Sequence, residues 1–173
     1  SDEVPYENLN LWIIDERLAY HHYLASDKRL SAIEPAASAD ADRPDLICFN
    51  APFAFADHAA PYSSIVIVEF KRPGRNDYSD EDNPIIQVYD YVRKIRAGRQ
   101  TDRAGRVMNI QDSVPFYCYV ICDLTTRVCD QAQNASLTLT PDGMGYFGFN
   151  APLKTYIEVL SFDKVLSDAE KRN

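Results

Sequence analysis

The stretch Ile65-Val66-Ile67-Val68-Glu69-Phe70-Lys71-Arg72-Pro73 decides how the rest of the chain is read. Four consecutive β-branched aliphatic residues predict a strand buried on both faces, because such side chains pack well on a pleated surface covered above and below. Two ionisable residues then enter the same run. Alternation along a strand directs Glu69 and Lys71 to one face and Phe70 to the other. A rise of ~3.3 Å per residue sets the carboxylate and the ammonium about 7 Å apart along the strand. Charged groups at the end of a buried strand cost desolvation energy, so they need each other, a metal or a substrate.

Upstream, Pro44-Asp45-Leu46-Ile47-Cys48-Phe49 predicts a short strand opened by proline, linked to the central strand through a long connection over 50–64. Residues 31–43, rich in Ala, Ser and Asp, read as a loop. From about Asn8 to Ala25, Leu11, Ile14 and Leu18 recur at three- and four-residue spacing, and Trp12, Tyr20 and Tyr23 widen the stripe. That spacing predicts a long amphipathic helix carrying Asp15 and Glu16. Ser1 to Pro5 lack an initiator methionine and read as a cut into a longer polypeptide or the remnant of a tag.

Downstream, Pro73-Gly74-Arg75-Asn76-Asp77 signals a turn, and Asn83-Pro84 supplies an N-cap with a proline at the first helical position. Ile85, Val88, Val92 and Ile95 form the buried stripe of a helix ending near Gly98, while Gln87, Tyr91 and Lys94 lie on a different face, one turn apart. After a polar loop, Val114 to Leu124 predicts a second strong strand. Further strands are expected over Ala135 to Thr140, Gly145 to Phe149 and Tyr156 to Phe162, the first two joined by Pro141-Asp142-Gly143, with a polar helix from Phe162 to Asn173. Helix, strands, helix, strands predict one α/β domain over residues 1–173, a mixed central sheet flanked by helices.

Composition narrows the functional classes. The chain has 173 residues, ample for a core without disulfides, and its four cysteines, Cys48, Cys118, Cys122 and Cys129, lack zinc-site spacing and read as reduced core thiols. No apolar run of about 20 residues suggests a membrane span, and no secretory signal pattern opens the chain, so a cytoplasmic protein is expected. A net charge of -8 argues against a protein that coats nucleic acid. Half of the 18 Lys and Arg residues nevertheless fall between Lys71 and Arg106, where bases outnumber acids. A local basic face on an acidic body suits a nucleic-acid enzyme, and a solvated helix and loop would give the same pattern. The Gly143-Met144-Gly145-Tyr146-Phe147-Gly148 run lacks the ending and following helix of a phosphate loop.

Pro44-Asp45, a gap, and then Glu69-Phe70-Lys71 form a motif that resembles the PD-(D/E)XK nuclease superfamily. Gln87-Val88-Tyr89-Asp90-Tyr91 resembles the Q-x-x-x-Y signature of its RecB-like and lambda-exonuclease-like branches. The likeness covers about Leu9 to Leu124. It implies a restriction-endonuclease-like fold and Mg²⁺ or Mn²⁺ held by Asp45, Glu69, the Phe70 carbonyl and an acid of the first helix, with Glu16 favoured over Asp15. It implies that Lys71 orients or deprotonates the attacking water and stabilises transition-state charge, with Gln87 near the centre. Arg72, Arg75, Tyr91 and Lys94 are then the expected nucleic-acid contacts. The expected substrate is DNA, with RNA left open, and the expected setting is a module of a larger bacterial polypeptide, ATPase-containing proteins of phage defence among them; a homodimer is a further option. An inactive module of the same fold that binds nucleic acid or a partner is the alternative. The motif also has a purely architectural reading, in which Asp45 caps a turn and Glu69 pairs with Lys71.

Overall fold

A computed structural model of the chain describes residues 23–26, 44–50, 63–97, 100–101, 107–108, 110 and 112–172. Their order is β1 (Tyr23–Ser26), β2 (Leu46–Asn50), β3 (Ser64–Phe70), α1 (Pro84–Ala97), β4 (Gln100–Thr101), β5 (Val107–Met108), β6 (Phe116–Ile121), α2 (Thr126–Asn134), β7 (Thr138–Leu139), β8 (Gly145–Asn150), β9 (Thr155–Leu160) and α3 (Phe162–Arg172). Seven strands form a mixed sheet in the order β1-β2-β3-β6-β9-β8-β7, and β4 with β5 makes a separate two-stranded ribbon. The pairs β3–β6 and β6–β9 run parallel, and the flanking pairs run antiparallel. The α/β class expected from the sequence is present.

Strand β3, inside the sheet between β2 and β6, is buried from Ile65 to Glu69 as the aliphatic run requires. Its alternation sorts the core into two layers. Ile65 and Ile67, with Phe116, Cys118 and Val120 of β6 and Ile157 and Val159 of β9, pack under α1 and α2. Val66 and Val68, with Leu46, Cys48, Tyr119, Ile121 and Leu160, form the opposite face, against which Phe162 and Val165 of α3 pack. Burying one Ile or Val side chain is worth roughly 1.5–3 kcal/mol, so the two faces of β3 anchor the sheet to both layers.

Helix α1 starts where its sequence says it should. The Asn83 side-chain oxygen accepts the N–H groups of Ile85 at 2.9 Å and Ile86 at 3.3 Å, and Pro84 occupies the first helical position. Ile85, Val88, Val92 and Ile95 are fully buried. Arg96, near its end, turns inward: its Nη2 donates to the carbonyls of Val114 at 2.8 Å and Leu153 at 2.9 Å, and the guanidinium lies over Phe116, 4.7 Å from the ring centroid.

Two expectations are corrected, and one helix is added. The helix expected to reach Ala25 does not, since Tyr23–Ser26 is a strand paired antiparallel with Leu46–Phe49; the rest of that stretch lies outside the described residues. Alternating apolar positions over so few residues satisfy either period, and pairing with β2 decides between them. Residues 126–134, for which the sequence predicts no element, form α2, capped by Thr125, whose side chain accepts the Val128 N–H. The strand expected over Ala135 to Thr140 shrinks to Thr138–Leu139, because Ala135 caps α2 and Ser136 takes a left-handed φ of 58°. The loops expected over 31–43 and 51–62 lie outside the described residues. Among the described residues no helix is long and apolar enough to cross a membrane. The four cysteines are free thiols, and burial pushes Cys48 and Cys122 up to about 12.

Candidate active site

The backbone that carries Glu69 and Lys71 is fixed by two neighbours. Strand β2 pairs with β3 so that Leu46 faces Val68, which places Asp45 opposite Glu69 at the same end of the sheet. On the other side, the Lys71 N–H donates to the Ile121 carbonyl at 2.8 Å, which extends the parallel ladder one residue past β3. The carboxylates then interlock with backbone. The Phe70 N–H donates to Asp45 Oδ2 at 2.6 Å, and the Asp45 N–H makes a long approach of 3.4 Å to Glu69 Oε2.

Glu69 and Lys71 share a face, as alternation requires, and they touch. Lys71 Nζ donates to Glu69 Oε1 at 2.9 Å and to Gln87 Oε1 at 2.5 Å, while Gln87 Nε2 donates to the Tyr91 hydroxyl at 2.6 Å. A continuous hydrogen-bonded line thus runs from the strand acid through the ammonium to α1. Glu69 is 4% and Lys71 9% exposed, so this is a desolvated ion pair. Burial pushes the Glu69 carboxyl above its ordinary value; the Lys71 hydrogen bond and charge oppose that rise, and the negative charge of Asp45 adds to it.

Two carboxylates on adjacent strands, one of them raised partly by the other, fit a hard divalent cation, which would relieve that repulsion. The Phe70 carbonyl belongs to the same strand end. Among the described residues, however, no group of three His, Cys, Asp or Glu comes together. The acid expected from the first helix, Glu16, and its rival Asp15 lie outside the described residues. Burial keeps the nearby Cys122 a protonated thiol against the opposing charge of Lys71, so it suits no hard cation.

The expected nucleic-acid contacts divide. Arg72 is exposed just past the strand end, and Lys94 is half-buried. Arg75 is engaged within the chain: it pairs with Asp77 at 2.8 Å and with Asp82, and its guanidinium sits 4.5 Å over the Tyr78 ring. Tyr91 is corrected outright. At 2% exposure its ring belongs to the core beneath α1, and it faces Gln87 instead of offering a surface for nucleic acid. Among the described residues of the basic segment, Arg93 pairs with Asp90 and Arg96 turns inward as well.

One residue near the site was not singled out from the sequence. Asp123, two residues past β6, accepts the Gly74 N–H at 2.5 Å through Oδ2. Gly74 has φ of 75°, a left-handed value glycine adopts freely, so Asp123 closes the turn that leads the chain away from Lys71. Its signal was available: Val120-Ile121-Cys122-Asp123 ends a buried strand on an acid, as Ile67-Val68-Glu69 does. Comparison with family models, curated proteins and solved structures finds no match to this chain.

Proposed function

We propose that the chain is a metal-dependent phosphodiesterase of the PD-(D/E)XK type, acting on DNA through a restriction-endonuclease-like core. The observation that carries this reading is the junction at Lys71 Nζ, where a strand acid and a helix amide meet beside Asp45. Asp45, Glu69 and the Phe70 carbonyl would hold Mg²⁺ or Mn²⁺, with Glu16 as the expected further acid. A cation held there would supply Lewis-acid polarisation of a phosphodiester and a more acidic water.

The chain's own groups have separate tasks. Glu69 and Gln87 hold the ammonium in place with two acceptors, leaving a third of its N–H donors for a phosphate oxygen as negative charge builds up on it. Hydrolysis forms a P–O bond from water and breaks the P–O bond to a sugar oxygen, which must collect a proton; a donor fixed in advance lowers the cost of that charge movement. Arg72, exposed beside the strand end, would meet the flanking backbone phosphate.

The test is cleavage of DNA and RNA by purified protein with Mg²⁺ or Mn²⁺. Cleavage lost in Glu69→Ala and Lys71→Ala is expected; no cleavage, or cleavage that survives both substitutions, refutes the reading. A second reading, a non-catalytic module of the same fold, is favoured by how far the carboxylates are already satisfied, Asp45 Oδ2 by Phe70 and Glu69 Oε1 by Lys71. Calorimetric titration with Mn²⁺ separates the two. Saturable binding lost in Asp45→Asn supports the enzyme, and the absence of binding supports the module.

A further inference from the structure

We propose that Tyr91 is a positioning residue, whose hydroxyl tethers the Gln87 amide in the one arrangement that presents its oxygen to Lys71. A glutamine side chain is long, its amide ends are nearly equal in shape, and three rotatable bonds place the group. Chemistry removes the ambiguity here. An ammonium has donors only, so the atom 2.5 Å from Lys71 Nζ must be the amide oxygen. The NH₂ end must then find an acceptor, and the Tyr91 hydroxyl stands 2.6 Å from it.

The anchor itself is rigid. Tyr91 lies one helical turn after Gln87 on α1, the spacing that brings i and i+4 side chains together. Its ring is packed in the core with Ile85, Val88, Val92 and Phe116, and it retains 2% of its exposure. Gln87 is half-buried, so its tether is not the crowding of a closed core. The hydrophobic layer beneath α1 thereby helps set where the ammonium just past β3 points, with the amide as the link. Tyr91 touches no substrate in this arrangement and acts through Gln87.

The tether follows from geometry alone, while its effect on turnover rests on the phosphodiesterase reading; the test has one arm for each. In the first arm, the side-chain NH₂ resonances of Gln87 are followed by ¹⁵N NMR in the wild type and in Tyr91→Phe, which keeps the buried ring and removes only the hydroxyl. A displaced Gln87 pair with an otherwise conserved spectrum is expected, and an unmoved pair overturns the proposal whether or not the protein cleaves anything. In the second arm, cleavage is measured for Tyr91→Phe, Gln87→Met and the double variant. Tyr91→Phe is expected to lower kcat by about 10–100-fold, the range for lost outer-layer hydrogen bonds, with KM within about twofold. The double variant should be no worse than Gln87→Met alone. Losses that multiply mean Tyr91 acts through packing and overturn the proposal. A wild type that cleaves nothing sinks the phosphodiesterase reading and leaves the NMR arm to decide the tether.

Discussion

Replacing Lys71 by Met keeps the length of the side chain and removes its charge from a site with almost no water. The partner left behind, Glu69, is 4% exposed, and its Oε1 loses the ammonium 2.9 Å away. Removing one member of a buried ion pair costs about 3–5 kcal/mol, because the remaining charge is desolvated without compensation. With the Asp45 N–H still approaching Glu69 Oε2, the lower end, about 3 kcal/mol at pH 8, is expected. The cost depends on pH in a definite direction. Glu69 already titrates above its ordinary value because of burial, and Lys71 is what holds the rise in check. In Lys71→Met its folded-state pKa therefore climbs further above the unfolded value. The native state then binds more protons than the unfolded state throughout that window, so stability is fully present below the ordinary carboxylate range and is lost as pH rises through the raised pKa. Urea denaturation of wild type and variant at pH 5 and pH 8, with divalent cations chelated, reads this directly. The loss at pH 5 should be visibly smaller, since Glu69 accepts a proton instead of remaining an unpaired charge. Equal losses at the two pH values, or a loss at pH 8 under about 0.5 kcal/mol as for an exposed pair, would refute the argument that Glu69 and Lys71 form a desolvated couple.

Two further substitutions test the frame that holds the site. Asn83→Ala removes the acceptor for the Ile85 and Ile86 N–H groups and should cost about 1 kcal/mol in chemical denaturation, with fraying confined to the turn that carries Gln87; an unchanged midpoint would mean another group caps α1. Gly145→Ala would put a Cβ 2.8 Å from the Val159 carbonyl oxygen, where β8 runs against β9, and should destabilise by about 1–3 kcal/mol in the same assay. A neutral result there would show that the two strands separate readily.

How much of this could be read from the chain alone depends on whether a feature is local. The β3 run and the Asn83-Pro84 helix start are written in neighbouring residues, and both stand where the sequence put them. Glu69 and Lys71 share a face for the same reason. Helix α2 escaped because its inward face is made of Val128, Gln131 and Ala132, one of them polar, so no apolar stripe announces it. Gln131 earns its burial through tertiary structure, its Nε2 donating to the Ser79 carbonyl at 3.2 Å. Tyr91 shares its side of the helix with Gln87 and Lys94, outside the aliphatic stripe, and only the packed layer shows that it, too, meets the core. Arg75 looked free because Asp82, seven residues on, is brought to it by the loop's path and by no sequence period. Asp45 and Glu69, 24 residues apart, could be placed together only through a known family pattern, and the β2–β3 register supplies the physical reason.

That register has a consequence for any redesign of the chain. Side chains alternate along both strands, so sliding β2 by a single residue against β3 would turn Asp45 to the opposite surface of the sheet and strip Phe70 of its carboxylate acceptor. Backbone hydrogen bonding in a sheet is nearly indifferent to such a slide, whereas the site is not. The acid at position 45 therefore works as an alignment mark: it stands across from Glu69 only when Leu46 sits across from Val68.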